Sequence, residues 1–465
     1  MRLIGAIIAL VPLLTILRIF NKRELLAPTN LYSLLYIVTI MIPTIIYAGD
    51  TSAALLTNGY LREAVSDNAI YLTYTVIQTV GYHLVLFGMG LRLKDRKLLY
   101  VSPKAYRSVN EGRDYSSTAS INYKFWGILF TVAGFGVFIL MMQKVGGIYY
   151  FLTHLQYRSS MTRDLDLLSW FLPLLQYGPL IIVYSLRGTG KRMSVWLLIL
   201  IVIAGFCYGL GGRKAIILML FETITIYHYA VRPISLRDAL QPKYIILGIT
   251  LVIFFVTYVQ FRREGALESF LLDPYSFING NNQGIAKVFT SESYVSFYMA
   301  TIKYFKENAL WKGASYLGLL TAIIPSSLYA GKPPVDDGMY LYSICQGRTD
   351  IMPVMKTSSL NGSSYPLETF GSTYANFGVF GVIIGMVFLG IVIGYFYKKL
   401  EKSNYNLFYI IIYAQVIFGF ELSTLRMFQL FQAIVVAWMM VKFTELIGVS
   451  NSKKNIMTDS TPRYR

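Results

Sequence analysis

Cysteine, histidine and charge are all scarce in this chain of 465 residues. Its two cysteines, Cys207 and Cys345, supply neither a disulfide framework nor a metal-ligand spacing. Only three histidines are present, and none falls between residues 261 and 366, the longest connection between apolar runs. Charged side chains make up 14% of the sequence, against roughly 25% in soluble proteins, which excludes the soluble globular, coiled-coil and disordered classes. Acids are the scarcer sign: 24 Asp and Glu face 42 Lys and Arg, for a net charge of +18. These cations cluster in the gaps between apolar segments and form no single amphipathic face, so lipid head groups and membrane orientation account for them better than nucleic acid does.

Apolar sequence is what the chain has in quantity, with 55% hydrophobic residues and a mean hydropathy of +0.51. Runs able to cross about 30 Å of hydrocarbon recur throughout, and imply about eleven spans in a single membrane domain. They lie near 3–20, 30–48, 68–90, 124–142, 168–186, 195–210, 214–230, 244–260, 369–397, 405–420 and 427–447. The first is followed by Asn21-Lys22-Arg23 and by no small-residue cleavage site, and is expected to be retained. Basic gaps alternate with less basic ones. The positive-inside rule then places the N-terminus outside and the C-terminus inside. The expected fold is an all-α polytopic membrane protein with one long outer loop, Phe261 to Pro366, and short outer turns such as 49–67.

A loop that long in a compact architecture is usually functional, and its aromatic content argues that it folds. Tyr294, Phe297, Tyr298, Ile302 and Phe305 recur at helical spacing, which predicts either an interfacial helix or one capping the bundle. Tyr316 to Ile324 is apolar but too short to cross.

Several cations stand on the expected outer side. The run Gly211-Gly212-Arg213-Lys214 joins two spans, so glycine backbone, a helix N-terminus, Arg213 and Lys214 converge at head-group level. That combination suits a phosphate, although an interfacial pair reaching for water reads equally from the sequence. Arg262 and Arg263 end the eighth expected span on the same side, and Arg426 in Glu421-Leu-Ser-Thr-Leu-Arg426 repeats the pattern. The acids in or beside the loop are Glu264, Glu268, Asp336, Asp337, Asp350 and Glu368. Glu368, Asp337 and Asp336 are the candidates for a general base, each with the alternative of an ion-paired surface acid. Glu222, inside the seventh span, should face the bundle and pair with a polar neighbour.

Four stretches together resemble the Wzy-type polymerases of O-antigen, capsule and related bacterial oligosaccharide repeat units. They are Lys144-Val-Gly-Gly-Ile with Arg158 downstream, Gly211-Gly-Arg-Lys214, Ile324-Pro-Ser-Ser-Leu-Tyr-Ala-Gly-Lys-Pro333, and Gly371-Ser-Thr-Tyr-Ala-Asn-Phe-Gly378. Relatives often carry an acid shortly before the tyrosine, where this chain has Ser372. The resemblance implies a GT-C-like glycosyltransferase of the bacterial cytoplasmic membrane, acting without cofactor or metal. Its substrates would be undecaprenyl-pyrophosphate-linked oligosaccharides, joined on the outer face with inversion, and a chain-length regulator would be a possible partner. Arg213, Lys214, Arg262, Arg263, Lys332, Arg426 and Arg158 would hold the pyrophosphate, and a carboxylate would take the acceptor proton. Two rivals stand beside it: an O-antigen ligase, expected to use a histidine in the long loop, and a flippase, expected to carry internal symmetry and mid-membrane charge.

Overall fold

The structure, a computed structural model, describes every residue except 21–23, 50–55, 93–122, 163–164, 191–192, 243–271, 274–289, 291–292, 325–327, 330 and 459–465. Among the described residues all regular structure is helical. The helices of eight or more residues are α1 (Arg2–Ile19), α2 (Pro28–Ile46, through a π turn at Ile37–Met41), α3 (Gly59–Ser66), α4 (Asn68–Arg92) and α5 (Tyr123–Val145). They continue with α6 (Pro173–Tyr184), α7 (Val195–Tyr208), α8 (Arg213–Ile226, prolonged by a π turn at Tyr227–Val231) and α9 (Val295–Glu307). The last are α10 (Gly338–Cys345), α11 (Glu368–Lys402), α12 (Leu407–Gly419) and α13 (Thr424–Thr458).

Seven of them, α1, α2, α4, α5, α8, α11 and α13, are long and apolar enough to cross a membrane by length and composition. Three more, α6, α7 and α12, are apolar but shorter, at 12, 14 and 13 residues. The span expected at 168–186 is cut short because Pro173, which has no N–H to give, opens α6, while Trp170 before it lies in an exposed turn. The span expected at 244–260 lies outside the described residues. Large apolar side chains point outward from several of these helices, among them Leu3 at 74% and Phe380 at 69% exposure. Water would penalise such a surface and lipid accepts it, so the chain is a multi-pass membrane protein.

The chain divides into two compact units. The first takes Met1–Val101, Gln283–Lys399 and Val416–Gln432. Here α4 and α11 cross backbone to backbone: a Cβ on Gly88 would stand 2.1 Å from the Val387 carbonyl, and one on Gly390 2.1 Å from that of Val85. Small residues at such a crossing let helices gain packing where lipid offers no hydrophobic drive. The stretch 49–67, expected as a turn, contains α3. Asn58 caps it by accepting from the Leu61 N–H at 3.0 Å, and Leu61, Ala64 and Val65 at helical spacing are buried. α9 packs on α3 and α4 with Val295, Tyr298, Met299, Ile302 and Phe305 buried, the helix expected from their spacing.

Within α11 the backbone breaks at Gly378 (φ 64°, ψ −150°), a conformation that a side chain would oppose. The Ala375 and Asn376 carbonyls released by the break accept instead from the N–H groups of Trp311 and Lys312, each at 2.9 Å. Asn376 ties the same segment further, accepting from Gly313 N–H at 3.0 Å and donating to Ser315 Oγ at 2.7 Å. The segment 311–315 is thereby clamped to the first half of α11.

The second unit takes Ser102–Asn282, Leu400–Gln415 and Ala433–Arg465. α5 and α6 pack closely through Gly127 and Gly178, and α7 and α8 through Gly205, whose Cβ would stand 3.0 Å from Ile216 Cα. Glu222 of α8 is fully buried and accepts from Gln176 Nε2 at 3.0 Å and from Gln415 Nε2 at 2.6 Å, the polar pairing expected of it.

Candidate functional site

In the first unit, the loop before α10, the start of α11 and the start of α13 bring four carboxylates together with one guanidinium. Glu368 is buried and receives the side chain of Arg426, whose Nε donates at 3.0 and 2.9 Å to the two carboxylate oxygens while a terminal nitrogen donates as well. Arg426 also donates to Gln429 Oε1 at 3.1 Å. Glu368 sits at φ 46°, a left-handed backbone that costs a non-glycine residue about 1–3 kcal/mol and persists only where its surroundings enforce it. Glu421 accepts from the Thr369 hydroxyl and from Thr369 N–H at 3.2 Å, which ties the turn before α13 to the first turn of α11.

Asp336 and Asp337 complete the group. Asp337 occupies the N-cap position of α10, yet its carboxylate does not cap that helix. Oδ2 accepts from Ser372 Oγ at 2.6 Å, and Oδ1, buried, makes no hydrogen bond to any described residue. Asp336 Oδ1 accepts from Gly338 N–H at 3.0 Å and keeps more contact with the surface. Burial pushes the Asp337 carboxyl up to about 7, the charges of Asp336 and Glu368 add to the rise, and interactions with the Ser372 hydroxyl and the Thr424 backbone oppose it. Asp336 is raised for the same first reason, and Glu421 is raised by burial and by the charge of Glu368 beside it. One cation among four acids leaves the cluster short of positive charge, in keeping with the upward direction of Asp336, Asp337 and Glu421.

These positions distribute the three sequence candidates unequally. Glu368 is paired with Arg426, whereas Asp337 keeps an oxygen with no hydrogen bond to any described residue and has its carboxyl pushed up to about 7. Glu421, Thr369 and Ser372 take part without having been singled out as site residues. The one signal available was composition, because Glu421 and Arg426 are the only charges between Lys402 and Lys442. Among the other loop residues, Lys332 donates to the Ala322 and Ile324 carbonyls at 2.9 and 2.7 Å and so fastens its own turn, and Asp350 pairs with Arg348 at 2.5 Å. Arg262 and Arg263, with Glu264 and Glu268, lie outside the described residues.

The second unit carries the glycine turn. α7 ends at Gly209, Leu210 and Gly211 take left-handed φ of 46° and 74°, and Gly212 is the N-cap of α8. Arg213 is half-buried and Lys214 exposed. Arg158, some fifty residues earlier, reaches this turn: its guanidinium lies 3.2 Å from where a Gly212 Cβ would stand. A side chain at 212 would crowd it, so glycine serves the approach as well as the turn. Two guanidinium-bearing residues and a helix N-terminus thus meet at one place, the arrangement that favours an anion.

Among the described residues no group of three or more His, Cys, Asp or Glu side chains is arranged to hold a metal ion. No family model, no curated protein and no solved structure matches the chain.

Proposed function

We propose that this protein is a membrane glycosyltransferase of about eleven spans and GT-C-like architecture that polymerises lipid-linked oligosaccharide repeat units on the outer face of a bacterial cytoplasmic membrane. The observation that carries the reading is Asp337, a buried carboxylate with one oxygen uncommitted and a pKa near 7. A general base works best when its pKa lies near the operating pH.

In this reading the hydroxyl of the incoming unit's terminal sugar attacks the anomeric carbon of the growing chain. The bond from that carbon to the undecaprenyl pyrophosphate oxygen breaks, the pyrophosphate leaves with the electron pair, and the acceptor proton passes to Asp337. Attack opposite the leaving group inverts the anomeric centre. The donor is already activated, so no nucleotide sugar is required. Arg213 and Arg158, assisted by Lys214, are the cations proposed to hold the pyrophosphate, with Arg262 and Arg263 in the same basic set; Lys332 leaves that set, because its ammonium is committed to two carbonyls of its own turn. Arg426 serves the acids, donating from its guanidinium to both oxygens of Glu368.

Vesicles containing the purified protein and lipid-linked repeat units test this. Expected is a ladder of longer glycans on the same lipid. Transfer to a second lipid core would make it a ligase, and passage across the bilayer without lengthening would make it a flippase.

A further inference from the structure

A cleft of about 690 Å³ opens in the first unit between α3, the C-terminal end of α10 and Tyr365, and no step described so far uses it. Tyr60, Tyr342 and Tyr365 line it, with Thr57 and Gln346 beside them. Asn58 builds the wall, since its side chain caps α3 and also donates to the Cys345 carbonyl at 3.0 Å, fixing α3 to the end of α10.

The rings are already held in place. Tyr365 stacks on Phe297 at 4.5 Å and takes the edge of Tyr342 at 4.9 Å, and Tyr60 has the Lys303 ammonium 4.4 Å from its centroid. These partners cover one side of Tyr365 and of Tyr60, and a ligand that met the parts of the rings lining the cleft would pay little to order them. The phenol hydroxyls of Tyr60, Tyr342 and Tyr365 and the side chain of Gln346 make no hydrogen bond to any described residue, so donors and acceptors surround the rings.

Charge narrows the ligand class. Glu63, the one acid in the lining, is paired with Lys303 at 2.5 Å, which leaves the cleft near neutrality. The cation at the cleft, Lys303, is already committed to Glu63 and to the Tyr60 ring, so a phosphate would have to displace that pairing, and a lipid tail would meet too many polar groups. A neutral molecule with flat C–H faces and a rim of hydroxyls satisfies both features, and a pyranose ring is such a molecule.

Position supplies the link to chemistry. α10 has eight residues, a length of about 12 Å. It carries Asp337 at its first end and Tyr342 and Cys345 in the cleft toward its last. We infer that the cleft is a carbohydrate subsite that holds sugar rings of the repeat unit beside the carboxylates. The inference rests on the polymerase reading, and its test is chosen to be read without turnover.

The probe is the free oligosaccharide released by mild acid from the host cell's own lipid-linked repeat units, offered to the full-length protein in nanodiscs. Saturation-transfer NMR should show contact with the parent. Tyr342→Ala should weaken binding about fivefold to tenfold, the worth of one aromatic platform, while Tyr342→Phe keeps the ring and most of the affinity. Gln346 is exposed, so Gln346→Trp fills the cleft without touching the core and should abolish the signal. Absence of transfer to the parent, or equal binding by Tyr342→Ala and Gln346→Trp, overturns the subsite. A parent that polymerises but shows no such binding loses the cleft alone. A parent that binds through the cleft but builds no polymer keeps the cleft and loses the polymerase.

Discussion

The glycine turn of the second unit and the carboxylate cluster of the first solve opposite electrostatic problems. At the turn, Arg213, Lys214 and Arg158 are gathered at a helix N-terminus, partly in reach of solvent, where like charges cost little and an anion gains from all of them. In the cluster, Glu368, Glu421, Asp336 and Asp337 surround one arginine, largely out of water, where unbalanced charge is expensive. The first arrangement gathers cations at a helix N-terminus, whereas the second gathers carboxylates around a single cation.

The sharpest way to break this contrast is to remove the basicity of Asp337. Asp337→Asn keeps size and lets Ser372 exchange its donor role for an acceptor one, so membrane abundance should hold. The rate of glycan transfer should fall by about a hundredfold to ten-thousandfold, and Asp336→Asn and Glu368→Gln should retain more activity. In the parent, the rate should drop with pH below about 7, because only the ionised carboxylate accepts a proton. Stability runs the other way. A carboxyl whose pKa is raised by folding binds its proton more tightly in the native state, so stability is full at low pH and declines as pH rises from about 4 toward about 7. Midpoints of thermal unfolding across that range, set beside the rate profile, check both signs. A flat rate profile with an active Asp337→Asn would move the base elsewhere.

Next in size is the pair that the cluster is built around. Arg426 and Glu368 have side-chain exposures of 9% and 3%, so removing either leaves a buried charge uncompensated. Arg426→Leu alone should cost about 3–5 kcal/mol, and the double variant with Glu368→Leu should recover much of that loss, because two apolar side chains need no counter-charge. Unfolding of the purified variants reads this. Additive losses would mean that Glu368 and Arg426 do not depend on each other.

The turn should respond less in stability and more in rate. Arg213→Ala is expected to slow transfer about a hundredfold, the scale of losing one donor to a developing anion, and Arg213→Lys to restore part of it. Gly212→Ala asks the same question through space. It removes no charge, but the new methyl would stand 2.8 Å from the Gly209 carbonyl and 3.2 Å from the Arg158 guanidinium, so the turn must shift and activity should fall by a smaller factor than in Arg213→Ala. Normal polymer from both Arg213→Ala and Gly212→Ala would reduce the turn to a tight helical hairpin.

The two regions also differ in how far they could be read from the sequence. Helices that cross a membrane declare themselves by runs of apolar residues, and the glycine turn is a contiguous string, so both were visible. The carboxylate cluster joins Glu368 to Arg426 and Ser372 to Asp337, positions 58 and 35 residues apart, and no local pattern encodes such a meeting. Arg158 entered through family resemblance alone; its approach to Gly212 is tertiary. α3 was hidden for another reason, since eight residues with a polar N-cap fall below the length at which apolar periodicity stands out from a turn. Lys332 read as a substrate cation because sequence shows charge and not its partner, here two carbonyls of its own loop.

The smallest effect concerns Glu222, and it separates a structural acid from a mechanistic one. Buried in α8, it is held by Gln176 and Gln415, both of which donate to it. Hydrogen bonds between membrane helices contribute roughly 0.6 kcal/mol on average, so Glu222→Gln, which keeps an accepting oxygen, should shift stability by less than about 1 kcal/mol. Glu222→Leu leaves both glutamine amides without their acceptor and should cost more, while transfer per folded molecule stays at the parental rate for both. A transporter that moves its cargo through mid-membrane charge would behave differently, because its coupling acid cannot be neutralised without loss of turnover. Glu222→Gln that is as abundant and as stable as the parent yet inactive would therefore place function at the centre of the second unit, and the outer-face polymerase would give way to a flippase.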